Sequence, residues 1–317
     1  MYWLLTRKFA VVLLVFHVSF LAIACSGEED EQVNDVGLDD VGVDDDECDD
    51  ETCFWQVTAG ESHTCALDGA GFIQCWGDNE HEQLEAPAGG YAYLSAGRNH
   101  SCALDGTGVI QCWGDDSFNR LNSPTGYFSA IGVGFDHGCA IKSSTQKIEC
   151  WAGSGSERIA PDEPFQSVSS GGHYTCGIDE DDHVQCWGDN RHDQLATPEG
   201  IYTVLSSGYS HSCALDESGA IICWGFDPEG RTDPPEGIFV EISVGHSHAC
   251  AIDEVGDIEC WGSDEDGRTD APDGTFIDVA AGGSPAGGGH TCAVTEDHEV
   301  ECWGNNDDGQ SSPPGMD

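Results

Sequence analysis

The sequence predicts an all-β fold, a seven-bladed β-propeller built from 37-residue repeats. Three observations lead to this prediction. A cysteine pair recurs seven times, and its first cysteines are separated by five intervals of 37 residues and a last one of 42. A tryptophan follows the second cysteine of every pair. Short β-prone runs alternate with turns rich in Asp and Gly, and seven copies of such a unit favour a closed ring over an open stack.

Residues 1–24 have the features of an export signal. Arg7 and Lys8 precede a largely apolar run of 16 residues, shorter than the roughly 20 of a membrane-spanning helix. The small residues before Cys25 resemble a bacterial lipoprotein signal, in which this cysteine is lipidated; ordinary cleavage after Ala24 is the alternative. We expect an exported protein that is lipid-anchored in the bacterial outer membrane, on its periplasmic or surface side, and that contacts the membrane through the lipid alone.

Residues 25–53 are predicted to be a disordered tether. From residue 26 to 53 the chain holds 14 acidic residues and no basic one, so it has too little apolar surface to offset the entropy lost on ordering. The alternative is calcium binding by the acidic runs 44–47 and 49–50, which lack the ligand spacing and turn glycine of a calcium loop.

The charge of the chain limits its partners. The formal net charge is −49, and removal of residues 1–24 leaves 8 basic and 59 acidic residues, a net charge of −51. A nucleic-acid partner is excluded because binding it requires cationic groups that displace counterions. Such a surface suits a high-salt environment, where self-repulsion is screened, and we hypothesise that the source is halophilic.

Residues 54–317 contain the seven repeats, each with a short β-prone run, a glycine, a cysteine-bearing strand, a turn and a second strand ending in Cys-Trp. A turn centred near Ala70 places Cys65 opposite Cys75, at the separation of about 4.5–5.5 Å between opposed Cα atoms on antiparallel strands, which is within disulfide range. Alternation puts Cys65 on one face and Trp76 on the other. Both faces are bulky, so each sheet must be sandwiched between neighbours.

We predict one disulfide inside each repeat and an eighth between Cys48 and Cys53, which with a lipidated Cys25 accounts for all 17 cysteines. Such density points to an oxidising compartment. The seven pairs in the repeats are Cys65–Cys75, Cys102–Cys112, Cys139–Cys150, Cys176–Cys186, Cys213–Cys223, Cys250–Cys260 and Cys292–Cys302.

The repeat motif resembles a known family. Ala59-Gly60, the run His63-x-Cys65-Ala66-Leu67, Cys75-Trp76-Gly77, Asn79 and Gln83-Leu84 are similar to regulator of chromosome condensation repeats. The period is closer to that of the compact seven-bladed propeller of the β-lactamase inhibitory protein type II group. The resemblance covers residues 54–317 and implies a propeller whose faces bind proteins. The paired cysteines depart from the family pattern, are consistent with export, and argue against a nuclear nucleotide-exchange role.

Two residue types recur once per repeat. Each tryptophan is predicted to be a wedge between blades. A histidine stands two residues before the first cysteine in six repeats, at His63, His100, His137, His211, His248 and His290, and Tyr174 takes its place in the fourth. We expect structural hydrogen bonding from these histidines and no metal site; a ring of metal ligands is the alternative. Calcium binding by the acidic loops after each tryptophan is likewise the alternative to solvated turns.

No catalytic residues are predicted. A cysteine held in a disulfide cannot act as a thiolate. The neighbours Ser210 and His211 have no third group to orient the base. The sequence contains no phosphate-binding glycine loop. We therefore expect a protein that is not an enzyme and needs no cofactor.

Binding residues are sought where the repeats differ, in the loop before each framework His or Tyr. We predict that Arg98, Phe135, His173, Tyr209 and His246 form a partner-binding face around a common centre, since aromatic groups on a rigid scaffold are typical binding hot spots. Ordinary loop variation is the alternative. The predicted function is a monomeric, non-catalytic module that binds an unidentified protein. The alternatives are an inhibitor or sensor of a cell-wall or β-lactamase-type enzyme, by resemblance, and a structural envelope protein.

Overall fold

The computed structural model describes residues 53–153, 155–284 and 288–314. Seven antiparallel sheets of three strands each follow one another along the chain, one per repeat, with strands β1–β21 in chain order. The predicted all-β, seven-bladed propeller is therefore confirmed. Within the described ranges no blade has a fourth strand.

The strands have nearly the same lengths in every blade. Their bounds, blade by blade, are Phe54–Ala59, His63–Asp68 and Ile73–Gly77; Tyr91–Ala96, His100–Asp105 and Ile110–Gly114; Phe128–Val133, His137–Lys142 and Ile148–Ala152; Phe165–Ser170, Tyr174–Asp179 and Val184–Gly188; Tyr202–Ser207, His211–Asp216 and Ile221–Gly225; Phe239–Val244, His248–Asp253 and Ile258–Gly262; and Phe276–Ala281, His290–Thr295 and Val300–Gly304. Short 3-10 helices occupy Ser117–Asn119, Ser156–Arg158, Pro228–Gly230 and Glu265–Gly267. No helix among the described residues is long and apolar enough to cross a membrane.

The second and third strands of each blade pair so that their cysteines face each other, as Cys65 and Cys75 do in blade 1. All seven disulfides predicted inside the repeats are present, with Cα atoms 4.0–4.1 Å apart. Cys53 is also disulfide-bonded. Its predicted partner Cys48, like the predicted signal, lipidation site and tether, lies outside the described residues.

The cysteine Cα atoms are closer than the sequence argument assumed, and the hairpin hydrogen bonds explain this. The Asp68 N–H donates to the Phe72 carbonyl at 3.0 Å, and the Asp78 N–H donates to the Ser62 carbonyl at 2.8 Å. Counting inward from both ends, the cysteines fall at a non-hydrogen-bonded pair. Such pairs are the closer of the two kinds in an antiparallel ladder.

The core lies between the blades, as the two bulky faces of each sheet predict. Cys65 and Leu67 on one face of blade 1 pack against Leu94 and Trp113 of blade 2. The opposite face of blade 1 packs its Trp76 into the cluster formed with blade 7. Every sheet is thus buried on both sides by its neighbours, which is why its residues are apolar on both faces.

Tryptophan side chains fasten each blade to the preceding repeat. The Trp113 indole N–H donates to the Gln83 carbonyl at 3.0 Å, and the same bond recurs around the ring. The ring closes with the same contact, since the Trp76 indole donates to the Gln310 carbonyl at 2.9 Å. The predicted interblade wedge is therefore also a hydrogen-bond donor, and the last loop of the chain completes blade 1.

Candidate functional site

The first strands of all seven blades end around one open cavity of about 90 Å³ at the centre of the ring. We call this the mouth. Each blade contributes a small residue, a glycine and one further residue to its lining. These further residues differ from blade to blade and are spaced by 37; in chain order they are Glu61, Arg98, Phe135, Gly172, Tyr209, His246 and Gly283.

A ring of seven glycines holds the mouth together. A Cβ atom added to Gly208 would lie 2.0 Å from the Gly245 carbonyl oxygen. A Cβ atom added to any of the six equivalent glycines would lie 2.1–3.0 Å from the carbonyl oxygen of the next blade's glycine. Backbone hydrogen bonds run in the same direction: the Tyr209 N–H donates to the Gly245 carbonyl at 3.3 Å. Because the backbones touch, the side chains that follow the glycines are held on a rigid rim.

The structure brings together all five residues that the sequence singled out for the binding face. The ring centroids of Phe135 and Tyr209 are 5.2 Å apart, those of Phe135 and His173 5.6 Å, and those of Tyr209 and His246 4.6 Å. The Arg98 guanidinium carbon lies 4.5 Å from the centre of the Phe135 ring. All five side chains are half-buried. Their role in binding remains a prediction.

A missing side chain makes this clustering possible in blade 4. Gly172 stands where five other blades carry a rim side chain. A Cβ there would meet the Tyr209 carbonyl oxygen at 2.3 Å and its ring at 3.0 Å. Glycine therefore lets the rim of blade 5 approach blade 4. His173, the following residue, does not line the cavity but lies beside it, with its ring centroid 5.6 Å from that of Phe135 and 6.2 Å from that of Tyr209.

Two ion pairs complete the rim. Arg98 pairs with Glu61 through its Nε, and Nδ1 of His173 lies 3.4 Å from Oδ1 of Asp136. The contact with Asp136 raises the pKa of His173. Burial by itself would raise the pKa of Asp136, but hydrogen bonding and charge from His137 and His173 outweigh it and hold that pKa well below the usual range.

Burial, together with the nearby Arg231 and Arg268, lowers the pKa of His246 to about 4. Of these two histidines, His173 therefore keeps its proton to higher pH than an ordinary imidazole, while His246 is neutral at pH 7.

Glu61 and Asp136 were not among the predicted face residues. Glu61 had a signal, because it occupies the same place in its repeat as Arg98, 37 residues earlier. Asp136 had the same signal, because it occupies the place in its repeat that His173 occupies in the next one, 37 residues later. The pairing of the two side chains is identified only by the contact between the blades.

The framework histidines lie on a different ring, fully buried between blades. His63 Nε2 is 2.8 Å from the Ser101 hydroxyl, and three further histidines make the same contact with the Thr at the equivalent place in the next blade. The predicted structural hydrogen bonding is confirmed for these four. His100 and His211 differ: the next blade offers Gly138 or Ala249 there, and their Nε2 atoms have no partner among the described residues.

A pair of carboxylates occupies equivalent places on two neighbouring first strands. Glu241 of blade 6 is hydrogen-bonded to Asp278 of blade 7, and Oδ2 of Asp278 accepts the Val57 N–H at 2.6 Å. Burial, followed by the charge of Asp278, raises the pKa of Glu241 well above its usual value. Burial likewise raises the pKa of Asp278 to about 6. The pair is therefore harder to ionise fully than two separate carboxyl groups.

The acidic loops after the tryptophans use their carboxylates internally. Asp78 accepts the Glu80 N–H at 2.9 Å and the Gln83 side-chain amide at 2.7 Å. Within residues 53–314, gaps apart, no group of three or more His, Cys, Asp or Glu side chains is arranged to hold a metal ion.

Five of the seven repeats match a known family model. The family model described as Regulator of chromosome condensation (RCC1) repeat matches residues 56–83, 92–120, 165–194, 203–231 and 276–310. No curated protein matches the chain. Five of the seven repeats are therefore similar to regulator of chromosome condensation repeats, as the sequence motif indicated.

Solved structures show the same fold. The ectodomain of the Physcomitrella patens receptor kinase CR4 superposes with a TM-score of 0.68 at 22% identity, covering 78% of this chain and 72% of that one. The CRINKLY WD40 ectodomain of the Arabidopsis thaliana receptor kinase ACR4 gives 0.65 at 25% identity, with 78% and 96% covered. Prp20p of Saccharomyces cerevisiae gives 0.61 at 16% identity, with 72% and 80% covered. At these identities the likeness concerns the fold.

Proposed function

We propose that this protein is an exported, non-catalytic protein-interaction module whose partner binds at the mouth. The observation that carries the proposal is the clustering of Arg98, Phe135, His173, Tyr209 and His246. Each breaks the repeat symmetry, and together they form one continuous half-buried surface. A framework residue would recur in every blade, whereas these side chains do not.

The physical basis is pre-organisation. Aromatic and arginine side chains dominate the binding energy of protein interfaces. Here they stand on a rim whose backbones are in contact through the glycine ring, so little ordering entropy remains to be lost on binding. One protein of the same fold, Prp20p of Saccharomyces cerevisiae, binds Gsp1p and histones.

Export and anchoring belong to the same proposal. Seven disulfides inside one ring suit an oxidising compartment, and two structural neighbours are receptor ectodomains. We assign residues 1–24 as a lipoprotein signal, Cys25 as the lipidated residue and 25–53 as the tether. The mouth would then be displayed at the bacterial envelope by a monomeric, anchored ring.

The test is affinity capture with the mature chain from residue 25, carrying Cys25→Ser to keep it soluble, against envelope extracts. We expect one enriched protein whose dissociation constant rises at least about 30-fold when Phe135 and Tyr209 are both replaced by alanine. Tyr127→Ala is the matched control, since this tyrosine is 64% exposed and precedes the opposite end of its strand.

Two outcomes would contradict the proposal. Binding that survives the double substitution at the mouth would place the interface elsewhere on the ring. Absence of any specific partner, with both variants correctly folded, would favour a structural envelope role.

A further inference from the structure

Two side chains that can carry positive charge contact Phe135 at the mouth. The Arg98 guanidinium lies over the ring of Phe135, with its central carbon 4.5 Å from the centroid. The His173 ring contacts Phe135 edge-on, at a centroid distance of 5.6 Å. One aromatic ring is therefore in contact with both side chains.

The two ion pairs are oriented with their positive members outward. The Arg98 side chain is 37% exposed and its partner Glu61 13%; the His173 side chain is 35% exposed and its partner Asp136 14%. Glu61 contacts Nε of Arg98, and within the described part of the chain the Nη groups of Arg98 have no partner. The mouth thus presents hydrogen-bond donors with positive charge to solvent, although the chain as a whole is strongly acidic.

We propose that the mouth recognises the carboxylate of an acidic side chain on the protein partner, with Arg98 as its ligand, Phe135 as the apolar platform and His173, next to Phe135, as a second group that can carry positive charge. This inference rests on the proposed function and names the chemistry of the partner group. The cavity of about 90 Å³ has room for the end of one side chain rather than for a folded segment.

The acidic surface does not oppose this recognition at short range. Fixed charges more than about 10 Å away are largely screened at 0.1 M salt, whereas contacts in a half-buried site are screened much less. A charge-assisted hydrogen bond to Arg98 is also directional, and guanidinium geometry matches a carboxylate. A cationic partner group would instead be repelled by Arg98 and by protonated His173.

The proposal implies that binding depends on pH through His173. The charged groups around this imidazole are Asp136 on the loop before β8, Glu157 of the short helix Ser156–Arg158, and Asp189 and Arg191 after β12. Three of the four are acidic and favour the cationic form. The mouth therefore carries more positive charge below the pKa of His173 than above it.

The experiment uses three blocked dipeptides that differ only in charge: acetyl-Phe-Glu-amide, acetyl-Phe-Gln-amide and acetyl-Phe-Lys-amide. Each is titrated into the mature chain carrying Cys25→Ser in 0.15 M salt, at pH 6 and pH 8, with binding followed by NMR. We expect the Glu peptide to bind about fivefold more tightly than the Gln peptide at pH 6, and the Lys peptide most weakly. The preference for Glu should decrease at pH 8.

Variants assign the preference to individual side chains. Arg98→Gln should abolish most of the preference for Glu over Gln. Glu61→Gln, which frees the whole Arg98 guanidinium, should increase the preference. His173→Gln should make the preference for the Glu peptide independent of pH. Asp136→Asn should shift the pH dependence of this preference to lower pH.

Equal binding of the three peptides, tighter binding of the Lys peptide, or no saturable binding of the Glu peptide would overturn the carboxylate assignment. The same variants distinguish a failure of this inference from a failure of the proposed function. A captured partner that depends on Phe135 and Tyr209 but not on Arg98 or His173 would leave the interaction module intact and reject its carboxylate specificity.

Discussion

The framework ring and the mouth use histidine in opposite ways, although they are one residue apart in the chain. Framework histidines such as His63 are fully buried, and burial lowers the pKa of His63 to about 4 and that of His290 to about 3. His173 is half-buried beside Asp136, which raises its pKa. Tyr174 fills the framework place in that blade and bonds to the Ser212 hydroxyl at 2.8 Å. A histidine at the framework position is thus buried and neutral and bonds to the next blade. A histidine one position earlier is half-exposed and can take up a proton.

This comparison shows how a symmetric repeat acquires one distinct site. Framework positions are packed against a neighbouring blade on each side, so nearly the same residue types recur there in every repeat. Rim positions are constrained by backbone alone, and their side chains are free to differ. Substitutions on the framework are therefore expected to change stability, and substitutions on the rim to change charge and binding.

The largest effect is expected from the glycine ring that joins the two regions. Gly208→Ala places a Cβ where the Gly245 carbonyl oxygen is 2.0 Å away, so adjacent backbones must separate at a cost of about 3 kcal/mol. Chemical denaturation of the oxidised protein measures the loss. Gly90→Ala is the control, since its Cβ would meet nothing within 4 Å. Equal stability of the two variants would show that the ring tolerates separation.

An intermediate effect is expected from the interblade hydrogen bonds, with opposite signs at two equivalent places. Ser101→Ala removes the partner of His63 Nε2 and should destabilise the fold by about 1–2 kcal/mol, because a buried polar atom is left unsatisfied. Ala249→Ser supplies the hydroxyl that His211 lacks and should stabilise it by about 1 kcal/mol. Denaturation midpoints of both variants are compared with the unmodified chain. Destabilisation by both would show that packing, rather than the bond, controls this position.

The smallest effect on stability, but a clear effect on charge, is expected from Asp136→Asn. The change removes the largest cause of the raised pKa of His173, so the imidazole should titrate at lower pH, nearer 6.5. NMR titration of the histidine Cε1–H signals measures this, and His63 serves as the internal control. A midpoint for His173 that does not move would assign its pKa to other neighbours.

The same two environments have opposite signs in the pH dependence of stability. A lowered folded-state pKa, as in His63, leaves stability intact above 6.5 and loses it as the pH falls toward 4. The raised pKa of His173 contributes stability below 6.5, and this contribution is lost as the pH rises through that pKa. The loss of stability at low pH should be the larger of the two effects, because several framework histidines contribute to it. His173 is half-exposed and contributes less.

The sequence alone determined the repeat, the blade and its disulfides. The 37-residue period defines seven units, and alternation along two strands joined by a short turn places Cys65 opposite Cys75. These are local relations: they depend on side-chain period and turn length, which a sequence shows directly. The candidate face was found for a related reason, since Phe135 and Tyr209 stand out as departures from a repeated pattern.

Only the tertiary structure decided which blade-to-blade contacts form. The pairing of Asp136 with His173 and the hydrogen bond between Glu241 and Asp278 join residues of adjacent blades. The missing partners of His100 and His211 likewise depend on the residue that the next blade offers. Such contacts depend on the angle and distance between packed sheets and on ring closure, here by Trp76 and Gln310. Sequence spacing does not show that geometry, because the sequence of one repeat does not reveal which side chains of the neighbouring blade it contacts.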